Sequence, residues 1–173
     1  MANILCVYYS RTGRTEKLMQ RMANELGCEI VRLEDGVKRG GPIGWMASGL
    51  HAVSRKVPPV SRPETKKKLK DYDLVIVATP VWAGRCSAPV RSFLMQFGNE
   101  LKRVAYVITR SCSLRYDEVF EQMDQYVRRP HVHAFSIQAD TIGADFWCDE
   151  LVKTVGGEKK GETDHAEQAQ SGR

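Results

Sequence analysis

The stretch Ser10-Arg11-Thr12-Gly13-Arg14-Thr15 directly follows the apolar run Ile4–Tyr9, and this junction decides the fold. The apolar run has the composition of a β-strand that is covered on both faces. After the junction, apolar residues recur at four-residue spacing, as Leu18, Met22 and Leu26. This spacing predicts an amphipathic helix, so the chain begins with a strand, a short polar loop and a helix.

The same strand, loop and helix unit recurs along the chain. Leu74–Ala78 and Val104–Ile108 are two further continuous apolar runs, and a helical pattern follows each of them. Residues 28–33 and 132–137 alternate less cleanly, as edge strands do. Alternating strands and helices predict an α/β domain with a five-stranded parallel sheet. We expect the strand order 2-1-3-4-5, with the three continuous runs inside the sheet.

Length and composition are those of one globular domain. The chain has 173 residues, of which 42% are hydrophobic and 27% are charged. We assign residues 1–155 to the domain and treat 34–62, which are too long for an ordinary connection, as an insertion within it. Residues 156–173 contain no large apolar side chain, and this composition predicts a disordered tail.

The cysteines and the N-terminus favour a cytoplasmic protein. Five cysteines stand at irregular spacing without a CxxC motif, so we expect reduced thiols and no structural zinc site. The pair His131 and His133 has no third ligand nearby in the sequence. The N-terminus has no basic region before its apolar run, and no run approaches the roughly 18 residues that cross a membrane. We therefore expect neither a signal peptide nor a membrane span.

The positive charge is local. Residues 36–70 contain nine Lys and Arg residues against Glu64 alone, which is a net charge of +8. Because the whole chain carries +5, the remainder carries −3. Such a segment favours an anionic partner, or it is a solvated surface. No nucleic-acid-binding motif accompanies it, so we expect no nucleic-acid partner.

The candidate functional residues follow the three inner strands. In a sheet of this order, ligands bind beyond the carboxyl ends of the strands, near the switch point. Residues 10–15 place three hydroxyls, a glycine and free backbone N–H groups at a helix N-terminus, which favours a phosphate. The alternative is ordinary capping of the first helix by Ser or Thr. Residues 79–84 and 110–113 are the corresponding loops after the next two inner strands.

An aromatic residue stands in the second of these loops. Trp82 follows Pro80 and precedes Gly84, so its indole would be placed to stack on a flat ring beside the phosphate loop. The alternative is that Trp82 packs on the helix that follows. We also consider Cys86 at the start of that helix, where Cys86 and Arg91 are one residue too close for a phosphatase loop. We expect Cys86 to be a non-catalytic thiol.

These loops resemble those of the flavodoxin family. Residues 10–15 match its phosphate loop, (S/T)-x-T-G-x-T, and residues 79–84 match the TPVWAG-like ring loop of its short bacterial FMN-binding branch. The resemblance covers roughly residues 3–155 and implies a three-layer αβα flavodoxin-like fold that binds FMN. It implies sixteen cofactor-binding residues: Ser10, Arg11, Thr12, Gly13, Arg14, Thr15, Thr79, Pro80, Val81, Trp82, Ala83, Gly84, Arg110, Ser111, Cys112 and Ser113.

The resemblance implies a redox protein, and two modes of action stay open. The protein either passes electrons to a partner protein or uses NAD(P)H to reduce a small acceptor such as a quinone. Electron-shuttle flavodoxins are typically acidic, whereas this chain is basic. Five arginines lie in or beside the loops, and they raise the hypothesis of an anionic second ligand: Arg11, Arg14, Arg85, Arg110 and Arg115.

A rival from another class is a non-redox binding module that keeps a phosphate-ester site. Its support is the third loop, where Arg110-Ser111-Cys112-Ser113 replaces the glycines that are frequent in the family. A thiol phosphatase acting through Cys86 is a weaker rival. The sequence assigns no catalytic residue and no metal ligand.

Overall fold

A computed structural model of the protein describes residues 3–34 and 60–170. Most of the predicted insertion, residues 34–62, therefore lies outside the described residues. Among the described residues, the strands are β1 (Ile4–Tyr8), β2 (Glu29–Arg32), β3 (Leu74–Trp82), β4 (Arg85–Cys86), β5 (Val104–Arg110) and β6 (His133–Gln138). The helices are α1 (Arg14–Leu26), α2 (Ala88–Phe97), α3 (Glu118–Asp124) and α4 (Ile142–Gln170), with single 3-10 turns at Leu69–Asp71 and Gly98–Glu100.

Five of the strands form one parallel sheet in the order β2-β1-β3-β5-β6. In the register, Cys6 of β1 lies opposite Ile30 of β2 and Ile76 of β3. The short strand β4 is antiparallel to the end of β3 and lies off this path. With β4 set aside, the predicted order 2-1-3-4-5 is confirmed, and the two weakly patterned strands are the edges.

Alternate residues of the inner strands build a core on each face of the sheet. Val77 and Tyr106 belong to the core beneath α2 and α3. Ile76 and Ala105 belong to the core beneath α1 and α4. Because side chains of a strand alternate between faces, a continuous apolar run serves both cores at once. The result is the predicted three-layer αβα arrangement.

The last helix is longer than the composition predicts. Residues 156–173 were expected to be a disordered tail, but α4 continues through Gln170 and only residues 171–173 lie outside the described residues. The segment is rich in Glu, Lys, Gln and Ala, which have high helix propensity. A lack of large apolar residues therefore does not distinguish a helix from a disordered tail. Within the described ranges, no helix has the length and apolar content needed to cross a bilayer.

Candidate functional site

The loops after β1, β3 and β5 meet at the carboxyl edge of the sheet and form a cleft. Its cavity volume is about 140 Å³. Among the described residues, those that line it include three arginines and no carboxylate, so this part of the cleft favours an anion. They are Arg11, Thr12, Arg14, Thr15, Pro80, Val81, Trp82, Thr109, Arg110, Ser111 and Ala139.

The first loop leaves the N-terminus of α1 open to a ligand. Gly13 occupies the N-cap position with φ of 86°, a left-handed conformation that glycine adopts without strain. No side chain in the described part of the chain caps α1; instead, the Ser10 hydroxyl accepts a hydrogen bond from the Gly13 N–H at 3.0 Å. The alternative of ordinary Ser or Thr capping is therefore not what the structure has. Uncapped N–H groups and the positive end of the helix dipole together suit a phosphate.

A buried pair of hydroxyl groups joins the loop after β1 to the end of β5. The Thr15 and Thr109 hydroxyl oxygens lie 2.7 Å apart, and both side chains are buried. Each hydroxyl has one donor and two acceptor positions, so the pair retains hydrogen-bonding capacity toward the cleft. The bond fixes the start of α1 against the end of β5 across 94 residues of sequence.

The second loop is a tight hairpin between β3 and β4. Ala83 and Gly84 form a two-residue turn with φ of 47° and 70°, the pattern of a type I′ turn. Behind it, the Thr79 hydroxyl accepts the Ser87 N–H at 2.9 Å and lies 3.0 Å from the Ser87 hydroxyl. Thr79 is buried, so it holds the hairpin and the start of α2 in place.

Trp82 lies between the core and the cleft. Its side chain is only 9% exposed and contacts the Tyr9 ring edge-to-face, with centroids 5.5 Å apart. It also belongs to the hydrophobic core that contains Val90 and Phe93 of α2. Trp82 thus belongs to the same core as α2, in line with the alternative interpretation, and it also lines the cleft. Stacking of Trp82 on a ligand ring stays a prediction.

The third loop is held by Arg110. Its guanidinium donates to the Cys112 carbonyl, to the Ser136 hydroxyl at 3.1 Å and to the Gln138 amide oxygen at 3.3 Å. These bonds use the guanidinium to tie the loop to β6. This loop lacks the glycines that are frequent in the family, and hydrogen bonds from Arg110 hold it in place. Ser111 of the same loop lines the cleft.

Cys112 has an activated thiol beside the cleft. Its sulfur lies 3.4 Å from the Tyr116 hydroxyl, and this hydrogen bond is the main reason why the pKa of Cys112 is lowered. The same contact, together with desolvation, raises the pKa of Tyr116. Tyr116 has φ of 56°, a conformation that a non-glycine residue rarely adopts and that often marks functional loops.

The other arginines near the loops differ in their partners. Arg14 forms an ion pair with Asp140 at 2.5 Å, and Arg115 forms one with Asp117 at 3.3 Å. Among the described residues, Arg11 makes no ion pair, and it lines the cleft. The hypothesis of an anionic second ligand stays a prediction.

Nine of the sixteen predicted site residues line the cleft, and the structure places the others around it. Ser10, Gly13, Thr79, Ala83 and Gly84 shape the first two loops, and Cys112 and Ser113 continue the third. Sequence reasoning missed Thr109 and Ala139, which also line the cleft. Thr109 is a polar residue directly after a continuous apolar run, so the sequence alone could have indicated that it belongs to the site. Ala139 has no chemical signal of its own.

Cys86 lacks the properties of a nucleophile. Burial raises the pKa of its thiol to about 11, so the thiol is protonated at neutral pH. Nearby Arg91 acts in the opposite direction, but desolvation is the larger effect. The structure therefore does not support a thiol phosphatase that acts through Cys86, because such an enzyme requires an activated thiol. Within the part of the chain that the structure describes, no cluster of His, Cys, Asp and Glu is arranged to hold a metal ion.

The cleft fits the phosphate end of FMN better than a whole flavin. The open start of α1, the exposed Thr12 hydroxyl and the positive lining provide what a phosphate monoester requires. At about 140 Å³ the cavity is smaller than the roughly 300–1,000 Å³ of typical ligand pockets, so a flavin ring would extend beyond it.

Comparison with known proteins agrees with this arrangement. The family model described as NADPH-dependent FMN reductase matches residues 3–147. A curated NAD(P)H dehydrogenase (quinone) from Cupriavidus metallidurans is 33% identical over 98 residues, which are 57% of this chain and 48% of that protein. The chain thus spans about half the length of this curated relative.

Solved structures share the fold at low sequence identity. A flavoprotein from Lactobacillus acidophilus, solved in complex with FMN, is similar with a TM-score of 0.66 and 20% identity, covering 85% of this chain and 99% of that one. A flavodoxin, WrbA-like protein from Agrobacterium tumefaciens is similar with a TM-score of 0.57 and 12% identity, covering 92% and 98%. The predicted flavodoxin-like fold is confirmed, and the family match supports the predicted FMN-binding redox function.

Proposed function

Because this chain belongs to the NADPH-dependent FMN reductase family, we propose that it is an enzyme that uses bound FMN to oxidise NAD(P)H and reduce a small acceptor such as a quinone. The name of the curated relative from Cupriavidus metallidurans supports a quinone as the acceptor. The alternative mode, electron transfer to a protein partner, is less compatible with the basic composition of the chain.

The observation that carries the proposal is the uncapped N-terminus of α1 within the cleft. Three structural features converge there: the left-handed Gly13, the Thr15 and Thr109 hydroxyl pair, and a lining that contains no carboxylate among the described residues. A phosphate ester is the ligand class that uses all three. This geometry is equally available to other phosphate esters, and the family match identifies FMN as the one to test first.

The residues of the chain have separate tasks in this proposal. The backbone N–H groups at the start of α1 and the Thr12 hydroxyl would bind the phosphate. The Thr15 and Thr109 pair would keep that loop in position. Val81 and Trp82 would exclude water from one side of the ligand, and Arg110 would hold the opposite loop through Gln138.

Bound FMN would supply the hydride and electron chemistry, and the protein would control its access and its surroundings. No side chain of the described residues is required as a nucleophile. Arg11 and Arg110 of the lining would add positive charge near the cofactor, and positive charge favours anionic ligands and acceptors. The charge of Arg14 is offset by Asp140.

A direct test is reduction of 1,4-benzoquinone by the FMN-reconstituted protein, with NADPH and NADH compared as donors. We expect NAD(P)H oxidation that depends on both the quinone and the bound flavin. A protein that retains FMN but oxidises neither nucleotide would contradict the enzyme proposal and leave electron transfer to a protein partner. A protein that binds phosphate esters but not FMN would be a non-redox module.

The variant Gly13→Ala tests the phosphate loop. A side chain at this φ costs about 1–2 kcal/mol, and we expect the loop to leave this conformation and the Kd for FMN to rise roughly tenfold. Gly27→Ala is the matched control, because Gly27 caps the other end of α1 with φ of 58°. At both positions an added Cβ meets no atom within 4 Å, so only the backbone strain is introduced.

Equal loss of FMN affinity in Gly13→Ala and Gly27→Ala would contradict the role of the loop. Flavin fluorescence titration measures the affinity, and urea unfolding of the apoprotein measures the loss of stability in both variants.

A further inference from the structure

Two cysteine thiols lie in contact near the amino edge of the sheet. The Cys6 and Cys28 sulfurs are 3.5 Å apart, although the two residues are 22 positions apart in the sequence. Cys6 is in the middle of β1 and is fully buried. Cys28 follows the left-handed Gly27 at the end of α1 and is half-buried. Both residues pack in the core beneath α1 and α4.

The strand register explains why these thiols meet. Leu5 lies opposite Glu29, so Cys28, one residue earlier, lies at the level of Ile4. Cys6 is two residues further along β1 and therefore occupies the same face of the sheet as Cys28. The two sulfurs of a disulfide are about 2.05 Å apart. Bridge formation from the observed 3.5 Å therefore requires the sulfurs to move closer by less than the length of one S–S bond.

The segment that contains Cys28 is suited to such a movement. Its backbone N–H bonds to the Ala23 carbonyl at 3.0 Å, which places Cys28 in the turn that ends α1 rather than within a strand. Cys6 is fixed by pairing with β2 and β3 on both sides. Closure of the bridge would therefore move the turn and leave the central strand in place.

The two thiols differ in accessibility, and this difference sets an order of reaction. Cys28 is half-buried and Cys6 is fully buried, so we expect a small oxidant to react first at Cys28. The remaining cysteines lie on other elements. Cys86 and Cys148 are buried, and burial raises the pKa of each thiol to about 11. Cys112 is the other accessible thiol, and its neighbour is the Tyr116 hydroxyl.

We propose that Cys6 and Cys28 form a reversible disulfide when the protein meets a hydroperoxide. The Cys28 thiolate attacks one peroxide oxygen, the O–O bond breaks, and Cys28 becomes a sulfenic acid. The Cys6 sulfur then displaces hydroxide from Cys28, loses its proton, and the S–S bond forms. Two thiols lose two electrons and two protons in total, and hydrogen peroxide becomes two molecules of water.

The bridge protects the accessible thiol and joins α1 to β1. A sulfenic acid that condenses with a neighbouring thiol escapes further, irreversible oxidation. The bridge would close a loop of the chain that contains α1 and also the cleft-lining residues 10–15. The inference itself rests on the contact between the two thiols and not on the proposed function.

The test is peptide mapping of the full chain after treatment with hydrogen peroxide and alkylation under denaturing conditions. We expect one linked pair of peptides, containing Cys6 and Cys28, with a mass lower by two hydrogen atoms than the two reduced peptides. Dithiothreitol should reverse the link. In Cys112→Ser, which removes the other accessible thiol, two of the four remaining thiols should be lost.

Cys28→Ser is the paired variant, because a half-buried position accommodates serine. In this variant we expect no linked peptide, and Cys6 should stay fully alkylatable after unfolding. Absence of the Cys6 and Cys28 link in the natural sequence would overturn the proposal. So would oxidation of Cys28 to a sulfinic acid while Cys6 remains a thiol, or a link from Cys28 to another cysteine.

Discussion

Thr15 and Thr109 are the residues on which the shape of the site depends most directly. Their hydroxyl oxygens are 2.7 Å apart in a buried environment, where an unpaired hydroxyl is costly. The pair joins the loop after β1 to the end of β5, so it sets the distance between the phosphate loop and the opposite wall.

Removal of both hydroxyls should cost less stability than the sum of the two single removals. We expect Thr15→Val and Thr109→Val each to lower the free energy of unfolding by about 1–3 kcal/mol, because each leaves the other buried hydroxyl unpaired. The double variant should lose clearly less than the sum of the two, with a coupling of about 1 kcal/mol. Urea unfolding measures all three, and Thr12→Val, at an exposed position, is the control. Strict additivity would contradict the pairing.

Cys112 should be the fastest-alkylating cysteine near neutral pH, because its thiol is accessible and its pKa is lowered. The Tyr116 hydroxyl donates to the thiolate, so Tyr116→Phe should raise the pKa of Cys112. The pH profile of iodoacetamide labelling should then shift upward, with a roughly two- to tenfold slower reaction at neutral pH, as expected for one lost hydrogen bond. Buried Cys148 is the unreactive internal reference. An unchanged profile would contradict the proposed cause of the shift.

At the scale of elements, the β3 and β4 hairpin connects the core to the cleft. Trp82 ends β3 and packs inward, and the Thr79 and Ser87 bonds fix the start of α2 directly behind it. The turn itself places Ala83 at positive φ, which is unfavourable for a residue with a Cβ.

The turn should therefore be stabilised by a residue that tolerates the left-handed region. We expect Ala83→Asn to raise the free energy of unfolding by about 1 kcal/mol, because Asn-Gly is preferred in type I′ turns. Ala83→Val should act in the opposite direction, since a β-branched side chain is strained at this φ. Thermal unfolding of the two variants compares them, and equal effects would show that the turn conformation is not the cause.

The sequence predicted the elements that are governed by hydrophobic periodicity. The continuous runs became the inner strands β1, β3 and β5 because both faces of each strand are buried. It did not predict β4, which has only two residues and depends on the turn at Ala83. It also did not predict the length of α4, because helix propensity without an apolar stripe gives no tertiary signal.

The same division holds for the candidate site. Residues that end buried strands could be placed at one edge of the sheet from the chain alone, as for residues 10–15 and 79–84. The hydrogen-bond partners of these side chains could not be predicted from the sequence, because they depend on contacts between loops that are distant in the chain. Arg110, expected at the ligand, bonds to the Ser136 hydroxyl, and Thr15 bonds to Thr109.

At the scale of the whole molecule, the candidate site and the described part of the basic segment, residues 60–70, lie toward opposite ends of the sheet strands. Lys67, in the described part of that segment, donates to the Asn3 side chain just before β1. The cleft lies beyond the other end of β1 and has its own positive charge from Arg11, Arg14 and Arg110. Among the residues that the structure describes, the positive charge at the cleft therefore comes from the three loops.

The central claim is that these three loops bind FMN, and the most direct measurement is the visible absorption spectrum of the purified protein after incubation with FMN and desalting. We predict a retained flavin spectrum with about one flavin per chain, as expected for a specific site. A colourless protein that cannot be reconstituted would contradict the claim and leave a flavodoxin-like domain with a site for another phosphate ester.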